Sequence, residues 1–121
     1  MPRLRFVVLH MGDQRLDSIE LLLVADVGVE SDLDLAAAQA TRQLIRDAGG
    51  IAEVQVCDVT KAGEVKALVD ACMAKFGRID ILVNIVGRSE RGDPVTMDES
   101  VWDEQMDVNL KSAFLTCKHV L

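Results

Sequence analysis

The sequence of 121 residues predicts a doubly wound α/β fold, in which helices pack on the faces of a parallel sheet. Short apolar runs alternate with helical patterns along most of the chain. One run, at residues 81–85, is bounded by turn residues and is typical of a strand buried on both faces. Half of the residues are hydrophobic but only 3% are aromatic, an aliphatic composition that suits helices on a parallel sheet.

Four strands and three helices follow from these patterns. Gly49 and Gly77 come directly after helical patterns, as expected of residues that end a helix. Thr60 is expected to cap the second helix, and Thr96 with Glu99 three residues later resembles a capping box. The predicted strand order is 3-2-1-4, with strands at 6–9, 19–27, 52–57 and 81–85 and helices at 32–48, 61–76 and 97–121.

The spacing of apolar residues predicts which face of each helix is buried. For the first helix the predicted core residues are Leu35, Ala38, Leu44 and Ile45. For the second they are Val65, Leu68, Val69 and Cys72. For the last they are Val101, Met106, Leu110, Ala113, Phe114 and Cys117.

Composition and charge exclude several classes of protein. The net charge of −7 argues against nucleic-acid binding, which needs clustered Lys and Arg. The apolar stretches are too short to span a bilayer, and the N-terminus lacks the pattern of a signal peptide. Cys57, Cys72 and Cys117 are odd in number and widely spaced, which predicts reduced thiols in a cytoplasmic protein. No Cys and His spacing predicts a metal site.

The segment between the first two apolar runs, residues 10–18, departs from the α/β pattern. A parallel crossover needs about a dozen residues or more, usually including a helix. The sequence therefore leaves two alternatives, a very short helix or an antiparallel hairpin of the first two strands. The segment contains one glycine, Gly12.

The segment "GRIDILVNIVG" at residues 77–87 resembles the short-chain dehydrogenase/reductase pattern G-x-x-D-x-L-V-N-N-A-G. Asp58 with Val59, and Asn109 in "MDVNL", stand where that family has further motif residues. The resemblance runs from about Leu21 to the last residue. It implies a single, partial, Rossmann-like NAD(P)-binding domain over residues 1–121, from a family that transfers hydride between a nicotinamide and a carbonyl or alcohol carbon.

The resemblance also implies roles for individual residues in the adenosine half of the cofactor site. Asp26 would accept hydrogen bonds from the ribose hydroxyls and repel a 2′-phosphate, which favours NAD over NADP. Asp58 would bond the edge of the adenine, and Val59 would pack on its ring. The alternatives are a solvated strand-end carboxylate for Asp26 and, for Asp58, a turn residue that bonds its own backbone.

On the nicotinamide side the resemblance assigns Asn84, Gly87 and Asn109. Asn84 is expected either to bridge neighbouring strands with its amide or to contact the cofactor, and Gly87 allows a ligand to approach the backbone. Val86, which replaces the alanine of the family, is expected to crowd the nicotinamide ribose. Asn109 would belong to an Asn-Ser-Tyr-Lys tetrad and hold a water in a proton relay; the alternative is a helix residue that bonds local backbone.

Two departures from the family pattern predict lost activity. The glycine-rich turn that binds the pyrophosphate is missing after the first strand, so NAD binding is expected to be weak or lost. The chain has no Tyr, and the family's Ser and Tyr-x-x-x-Lys would lie beyond Leu121, so it is expected to be inactive and to be a fragment or a truncated product.

The alternative hypothesis is a non-catalytic interaction module derived from that family. The helix at 97–121 corresponds to one that family members pack against a second subunit, so Trp102, Phe114, Leu115 and Val120 are expected to mediate self-association. A phospho-receiver domain is disfavoured, because the paired acids after the first strand and the later Lys are missing.

Overall fold

A computed structural model describes residues 5–9, 20–26, 31–84, 86–87 and 89–121 of the chain. Strands and helices alternate along it, and the predicted α/β class is confirmed. In chain order the elements are β1 (Arg5–Leu9), β2 (Glu20–Asp26), α1 (Ser31–Asp47), β3 (Ile51–Cys57), α2 (Ala62–Phe76), β4 (Ile81–Asn84), α3 (Glu99–Met106), a π-helical segment (Asp107–Lys111) and α4 (Ser112–Val120).

The four described strands form one parallel sheet in the order β3-β2-β1-β4, the order expected from the sequence. Because β1 and β2 are parallel, they do not form the antiparallel hairpin that was one of the two alternatives. The segment that joins them, residues 10–19, lies outside the described residues. Its predicted short helix therefore stays a prediction.

Helices cover both faces of β3. Ala52 and Cys57 are an odd number of residues apart on that strand, so their side chains point to opposite faces, and both are fully buried. α1 packs on β2 and β3, whereas α2 packs on β3 and on α4. The main buried cluster joins β3, the loop after it, α2 and α4 through Cys57, Val59, Val65, Leu68, Cys72, Phe76 and Leu115.

The predicted inward face of α2 is confirmed, because all four of its predicted core residues are buried. Both glycine helix ends are confirmed as well. Gly49 and Gly77 adopt φ values of 84° and 77°, a left-handed conformation that glycine adopts without strain. The N–H of Gly77 donates to the carbonyl of Met73 at 2.8 Å.

Both threonine caps predicted from the sequence are wrong. The N-cap residue of α2 is Lys61, and the Thr60 hydroxyl instead donates to Asp58 Oδ1 at 2.6 Å. The N-cap residue of α3 is Asp98, and the Thr96 hydroxyl donates to the carboxylate of Asp93. In both loops a nearby aspartate competes successfully for the hydroxyl.

The core assignment of the last helix is partly wrong. Met106, Leu110 and Phe114 are exposed, and the buried residues of α4 are Ser112, Leu115 and Thr116. Leu115, expected at a surface for a partner, belongs to the main buried cluster. For Leu110 and Phe114, the prediction assumed an unbroken α-helical period, which the π-helical segment interrupts. Met106 precedes that segment, which does not explain its exposure. On α1, Leu44 is also exposed rather than buried.

The edge strand β3 carries a charge cluster. The carboxylate of Glu53 accepts Arg46 and Lys75 at 3.2 Å and lies 3.5 Å from Arg42. Burial tends to raise the pKa of Glu53, but Lys75 and the two guanidinium groups outweigh burial and lower it. Glu53 therefore stays ionised at neutral pH and joins α1 and α2 to the edge of the sheet.

No helix in the described part of the chain combines the length and the apolar character needed to cross a membrane.

Leu68→Ala and Leu44→Ala form a matched pair that tests the described core. Leu68 is 1% exposed inside the main cluster, whereas Leu44 is 55% exposed. We expect Leu68→Ala to lower the free energy of unfolding by about 2–5 kcal/mol, because it leaves a cavity. Leu44→Ala should change it by only about 0.5 kcal/mol. Urea unfolding followed by circular dichroism measures both, and equal losses would contradict the packing described.

Candidate functional site

The parallel sheet brings the ends of its strands to one edge. In register, Leu9 at the end of β1 pairs with Asn84 at the end of β4, and Asp26 at the end of β2 pairs with Cys57 at the end of β3. Asp58 follows Cys57 directly. The predicted site residues Asp26, Asp58 and Asn84 therefore all lie at the carboxyl edge, where doubly wound folds bind their ligands.

Asp58 forms a compact corner between β3 and α2. Its Oδ1 accepts the N–H of Thr60 at 2.9 Å as well as the Thr60 hydroxyl. Its own N–H donates to Glu64 Oε2, 2.7 Å away on the first turn of α2. Asp58 thus has the role expected as its alternative, a turn residue that bonds nearby backbone. These hydrogen bonds use Oδ1, and no hydrogen bond to Oδ2 is described. The corner fixes the carboxylate at the edge of the sheet.

Val59 does not present a surface to a ligand. It is 0% exposed and belongs to the main buried cluster. The adenine contact predicted for Val59 would need a surface that its side chain does not offer. Its contribution in this structure is to anchor the Asp58 corner to the core.

Asn84 is held in place by α4. The Thr116 hydroxyl of α4 lies 2.8 Å from Asn84 Oδ1 and 3.0 Å from the carbonyl of Ala113, so it can donate to either. The Asn84 Nδ2 points toward Cys117 Sγ at 4.0 Å. Thr116 is buried whereas Asn84 is exposed, so a core hydroxyl holds the amide at the surface. A structural role for the amide was one of the two roles expected, but its described partners lie on α4 and not on a neighbouring strand.

Gly87 and Asn109 lie against each other across the loop that follows β4. A Cβ added to Gly87 would be only 3.1 Å from Asn109 Oδ1, closer than ordinary van der Waals contact. Both residues are exposed. The structure thus brings together two residues 22 positions apart that the family resemblance assigned to one site, and Gly87 is the residue type that leaves room for the asparagine.

Asn109 lies in the π-helical segment, and the bonding around Ser112 explains that segment. The N–H of Ser112 donates to the carbonyl of Asp107, five residues back, instead of to Val108 four residues back. The Ser112 hydroxyl then donates to the freed carbonyl of Val108 at 2.5 Å. One buried side chain thereby satisfies the group that the wide turn would leave without a partner.

Val86, which was expected to crowd the nicotinamide ribose, packs toward the core. Its side chain is half-buried and packs against the main cluster together with Ile79 and Leu82. The core accommodates the branched side chain in this structure, and the crowding of a bound ribose stays a prediction.

The described edge therefore combines hydrogen-bonding groups without a metal centre. Among the side chains that the structure describes, at residue 36 and at residues 38–84, 86–87 and 89–121, no three His, Cys, Asp or Glu come together to hold a metal ion. A carboxylate at Asp58 and amides at Asn84 and Asn109 suit hydroxyl, amino and amide groups of a polar ligand. The side chain of Asp26 lies outside the described part, so its contacts stay a prediction.

Two residues that were not predicted from the sequence position the site. Thr116 holds Asn84, and Ser112 stabilises the turn that carries Asn109. Both are small hydroxyl residues inside an apolar helical pattern. A hydroxyl on the buried face of a helix needs a hydrogen-bond partner, and this requirement could have identified both residues.

Gly87→Ala tests the contact with Asn109, and Gly63→Ala serves as its control, because an added Cβ there meets nothing within 4 Å. We expect Gly87→Ala to displace the Asn109 side chain and to cost up to about 3 kcal/mol of unfolding free energy. Gly63→Ala, inside α2, should be neutral or stabilising by up to about 1 kcal/mol. The side-chain amide signals of Asn109 in NMR spectra report the displacement; unchanged signals in Gly87→Ala would contradict the contact.

Comparison with known proteins supports one family. Residues 25–121 match the family model described as enoyl-(acyl carrier protein) reductase. D-threitol dehydrogenase of Mycolicibacterium smegmatis is 36% identical over 89 residues, covering 74% of this chain and 34% of that protein.

Solved structures have the same fold. A metagenomic short-chain oxidoreductase in complex with NADP matches with a TM-score of 0.73 and 31% identity, covering 84% of this chain and 43% of that chain. NADH-dependent reductase A1-R′, complexed with NAD, matches with a TM-score of 0.79 over 98% of this chain and 51% of its own. At 22% identity, that second likeness shows the fold alone.

The chain spans about a third of the length of the curated relatives it matches and about half of the solved chains. The family match nevertheless covers most of the chain itself, including the motif residues from Asp26 to Asn109. The chain belongs to the short-chain dehydrogenase/reductase family.

Proposed function

We propose that this chain forms the cofactor-binding part of an NAD(P)-dependent oxidoreductase, which transfers hydride between a nicotinamide and a carbonyl or alcohol carbon. The observation that carries the proposal is the convergence of Asp26, Asp58, Asn84 and Gly87 at the carboxyl edge of one parallel sheet, with Asn109 against Gly87. We treat residues 1–121 as a single partial Rossmann-like domain. The NAD- and NADP-bound structures that share the fold support the cofactor class.

The spacing of these residues supports a dinucleotide rather than a mononucleotide. Asp58 follows β3 at one edge of the described sheet, and Asn84 ends β4 at the other, three strand intervals away. With neighbouring strands about 4.8 Å apart, the interval is roughly 14 Å. An extended ligand could therefore place its adenosine at β2 and β3 and its nicotinamide at β4, with Val59 supporting the Asp58 corner from the core.

The proposed cofactor preference is NAD over NADP, with weak binding. A carboxylate at Asp26 would accept the two ribose hydroxyls and repel a 2′-phosphate. Residues 10–19 contain one glycine and not the glycine-rich turn that lets backbone N–H groups surround a pyrophosphate. That loss removes a main source of affinity for the diphosphate.

Asn109 is the proposed contributor to catalysis. By the family resemblance it would hold a water in a proton relay, and its place beside Gly87 supports a position next to the nicotinamide end. An amide cannot act as a general acid at neutral pH, and the 121 residues contain no Tyr. We therefore propose that this chain by itself does not turn over substrate.

Asp26→Ser and Asp98→Ser test the cofactor proposal. Asp98 precedes α3 and has no part in the proposed site, so it controls for the loss of one negative charge. We expect the parent chain to bind NAD weakly, in the range above about 1 μM, and to bind NADP less well still. Asp26→Ser should reduce or reverse that preference because the repulsion is gone, whereas Asp98→Ser should keep it. Titration calorimetry with both nucleotides measures this; an NADP preference of the parent would remove Asp26 from its role.

A second candidate function is that of an interaction module, and exposed apolar residues on the last helix favour it. Trp102, Met106, Leu110 and Phe114 recur every four residues and are all exposed. The extra residue in the π-helical turn offsets the drift of a four-residue spacing, so these side chains share one stripe. We propose that this stripe mediates self-association, and that the three widely spaced cysteines, an odd number, reflect a reducing compartment such as the cytoplasm.

Leu110→Glu and Leu44→Glu test the self-association of the stripe. Both leucines are exposed on helices, at 66% and 55%, but only Leu110 lies in the stripe. We expect the parent chain and Leu44→Glu to associate and Leu110→Glu to be monomeric, because a charge within the contact would lose its hydration. Light scattering at increasing concentration distinguishes them, and a monomeric parent would exclude the proposal.

An absorbance assay of the nicotinamide with a panel of alcohols and ketones tests the proposed inactivity on the same samples. We expect no turnover above that of the Asn109→Ala variant. Turnover that Asn109→Ala abolishes would contradict the inactivity while confirming the role of that residue.

A further inference from the structure

A cavity of about 430 Å³, open to the surface and lined mostly by exposed residues, lies between the loop that follows β4 and the beginning of α3. This volume is within the range of small-molecule sites. None of the residues that line it has a role in the proposed cofactor site, although Trp102 also belongs to the exposed apolar stripe of the last helix. They are Gly92, Asp93, Pro94, Met97, Glu99 and Trp102.

Hydrogen bonds within the loop form its wall in advance of any ligand. The Asp93 carboxylate accepts the Thr96 hydroxyl and the N–H groups of Val95 and Thr96, the last two at 2.8 and 3.0 Å. The N–H of Met97 donates to the carbonyl of Asp93 at 3.0 Å and closes the turn. The hydrogen bond from the Thr96 hydroxyl, followed by those from the two N–H groups, lowers the pKa of Asp93, which keeps it ionised at neutral pH.

Gln105 of α3 fixes the loop to the helix. Its Oε1 accepts the N–H of Glu90 at 3.0 Å, and its Nε2 lies 3.8 Å from Met97 Sδ. Gly92 packs so closely on Met97 that an added Cβ would be 2.6 Å from the Met97 methyl carbon. Met97 therefore packs directly on the loop and contributes to the wall, while its flexible methyl end can shift to admit a side chain at Gly92.

The lining combines negative charge with apolar and aromatic surface. Glu99 and Asp93 supply two carboxylates, and no hydrogen bond to the Glu99 side chain is described. Trp102, Met97 and Pro94 supply the apolar surface, and the face of an indole ring attracts cations. Although the beginning of a helix favours anions, Glu99 already places a carboxylate in the first turn of α3.

The charge around the cavity reinforces this selectivity. Residues 89–107 contain seven acidic residues and one basic residue, so they carry six of the seven net negative charges of the chain. An anionic ligand would be repelled by this segment, whereas a cation would be attracted to it. Negative charge alone would hold any cation loosely at the surface. The apolar wall of the cavity favours an organic cation over an inorganic one.

We propose that this cavity binds a small organic cation, an ammonium or guanidinium group on a short apolar body. The charged group lies against Glu99 with the field of Asp93 behind it, and the apolar body contacts Trp102, Met97 and Pro94. Glu99 provides direct pairing, while Asp93, engaged in its own turn, shapes the wall.

Fluorescence provides a direct test, because Trp102 is the only Trp of the chain and no Tyr is present. Benzylammonium is titrated into the 121-residue chain at physiological ionic strength. Two compounds of similar shape serve as controls: benzyl alcohol, which is neutral, and benzoate, which is negatively charged. We expect a saturable change in Trp102 emission with benzylammonium. Benzyl alcohol should bind at least about tenfold more weakly, and benzoate should not bind.

Glu99→Gln and Asp103→Asn provide the matched variants. Both remove one exposed carboxylate from α3, but Asp103 does not line the cavity. We expect Glu99→Gln to weaken benzylammonium binding about tenfold and Asp103→Asn to change it less than about twofold. Far-UV circular dichroism and urea unfolding verify that both variants are folded.

Three outcomes would overturn the proposal. They are the absence of a saturable emission change, equal binding of benzylammonium and benzyl alcohol, and equal weakening by the two variants. Equal weakening would mean that benzylammonium collects on a diffuse acidic surface, not in the cavity.

Discussion

The packing of α2 against both β3 and α4 is the constraint on which the rest of the structure depends. Leu115 of α4 is buried in the same cluster as Cys57 at the end of β3 and Val59 just beyond it. Because interiors are close-packed, the strand end and the helix cannot shift independently. One apolar cluster thus fixes the Asp58 corner on one side and the helix that carries Thr116 and the π-helical turn on the other.

The polar residues of the candidate site are held by this core through single hydrogen bonds. Thr116, itself buried, reaches outward to Asn84 at the end of β4. Ser112, one turn earlier, stabilises the wide turn that sets Asn109 against Gly87. The exposed groups that could meet a ligand are therefore positioned by buried hydroxyls, an arrangement in which the core determines the geometry of the surface.

Much of the fold could be predicted from the sequence, because it depends on local patterns. The apolar run of β4, the inward face of α2 and the glycines after α1 and α2 each express one local rule, and the structure confirms them. The two helix-cap predictions were wrong because of competition for a hydroxyl group. Thr60 and Thr96 are reasonable caps by spacing, but Asp58 and Asp93 take their hydroxyls. A one-dimensional pattern does not rank such competing partners.

The site could be predicted by residue but not by geometry. The motif resemblance identified Gly87 and Asn109, which the structure brings together. It could not identify the π-helical turn between α3 and α4, because that turn depends on Ser112 bonding two carbonyls at once. The missed turn also explains why Leu110 and Phe114 were wrongly assigned to the core, since an extra residue in one turn changes the phase of all that follow.

The π-helical turn has a consequence for how sequences in this region should be aligned. It amounts to one inserted residue within an otherwise regular helix, absorbed without lengthening any loop. A homologue that lacked one residue between Asp107 and Lys111 could keep the helix, its length and its contacts with α2, while its asparagine turned away from Gly87. A gap of a single position in an alignment of this helix would therefore distinguish homologues that share only the core from homologues that also share the site.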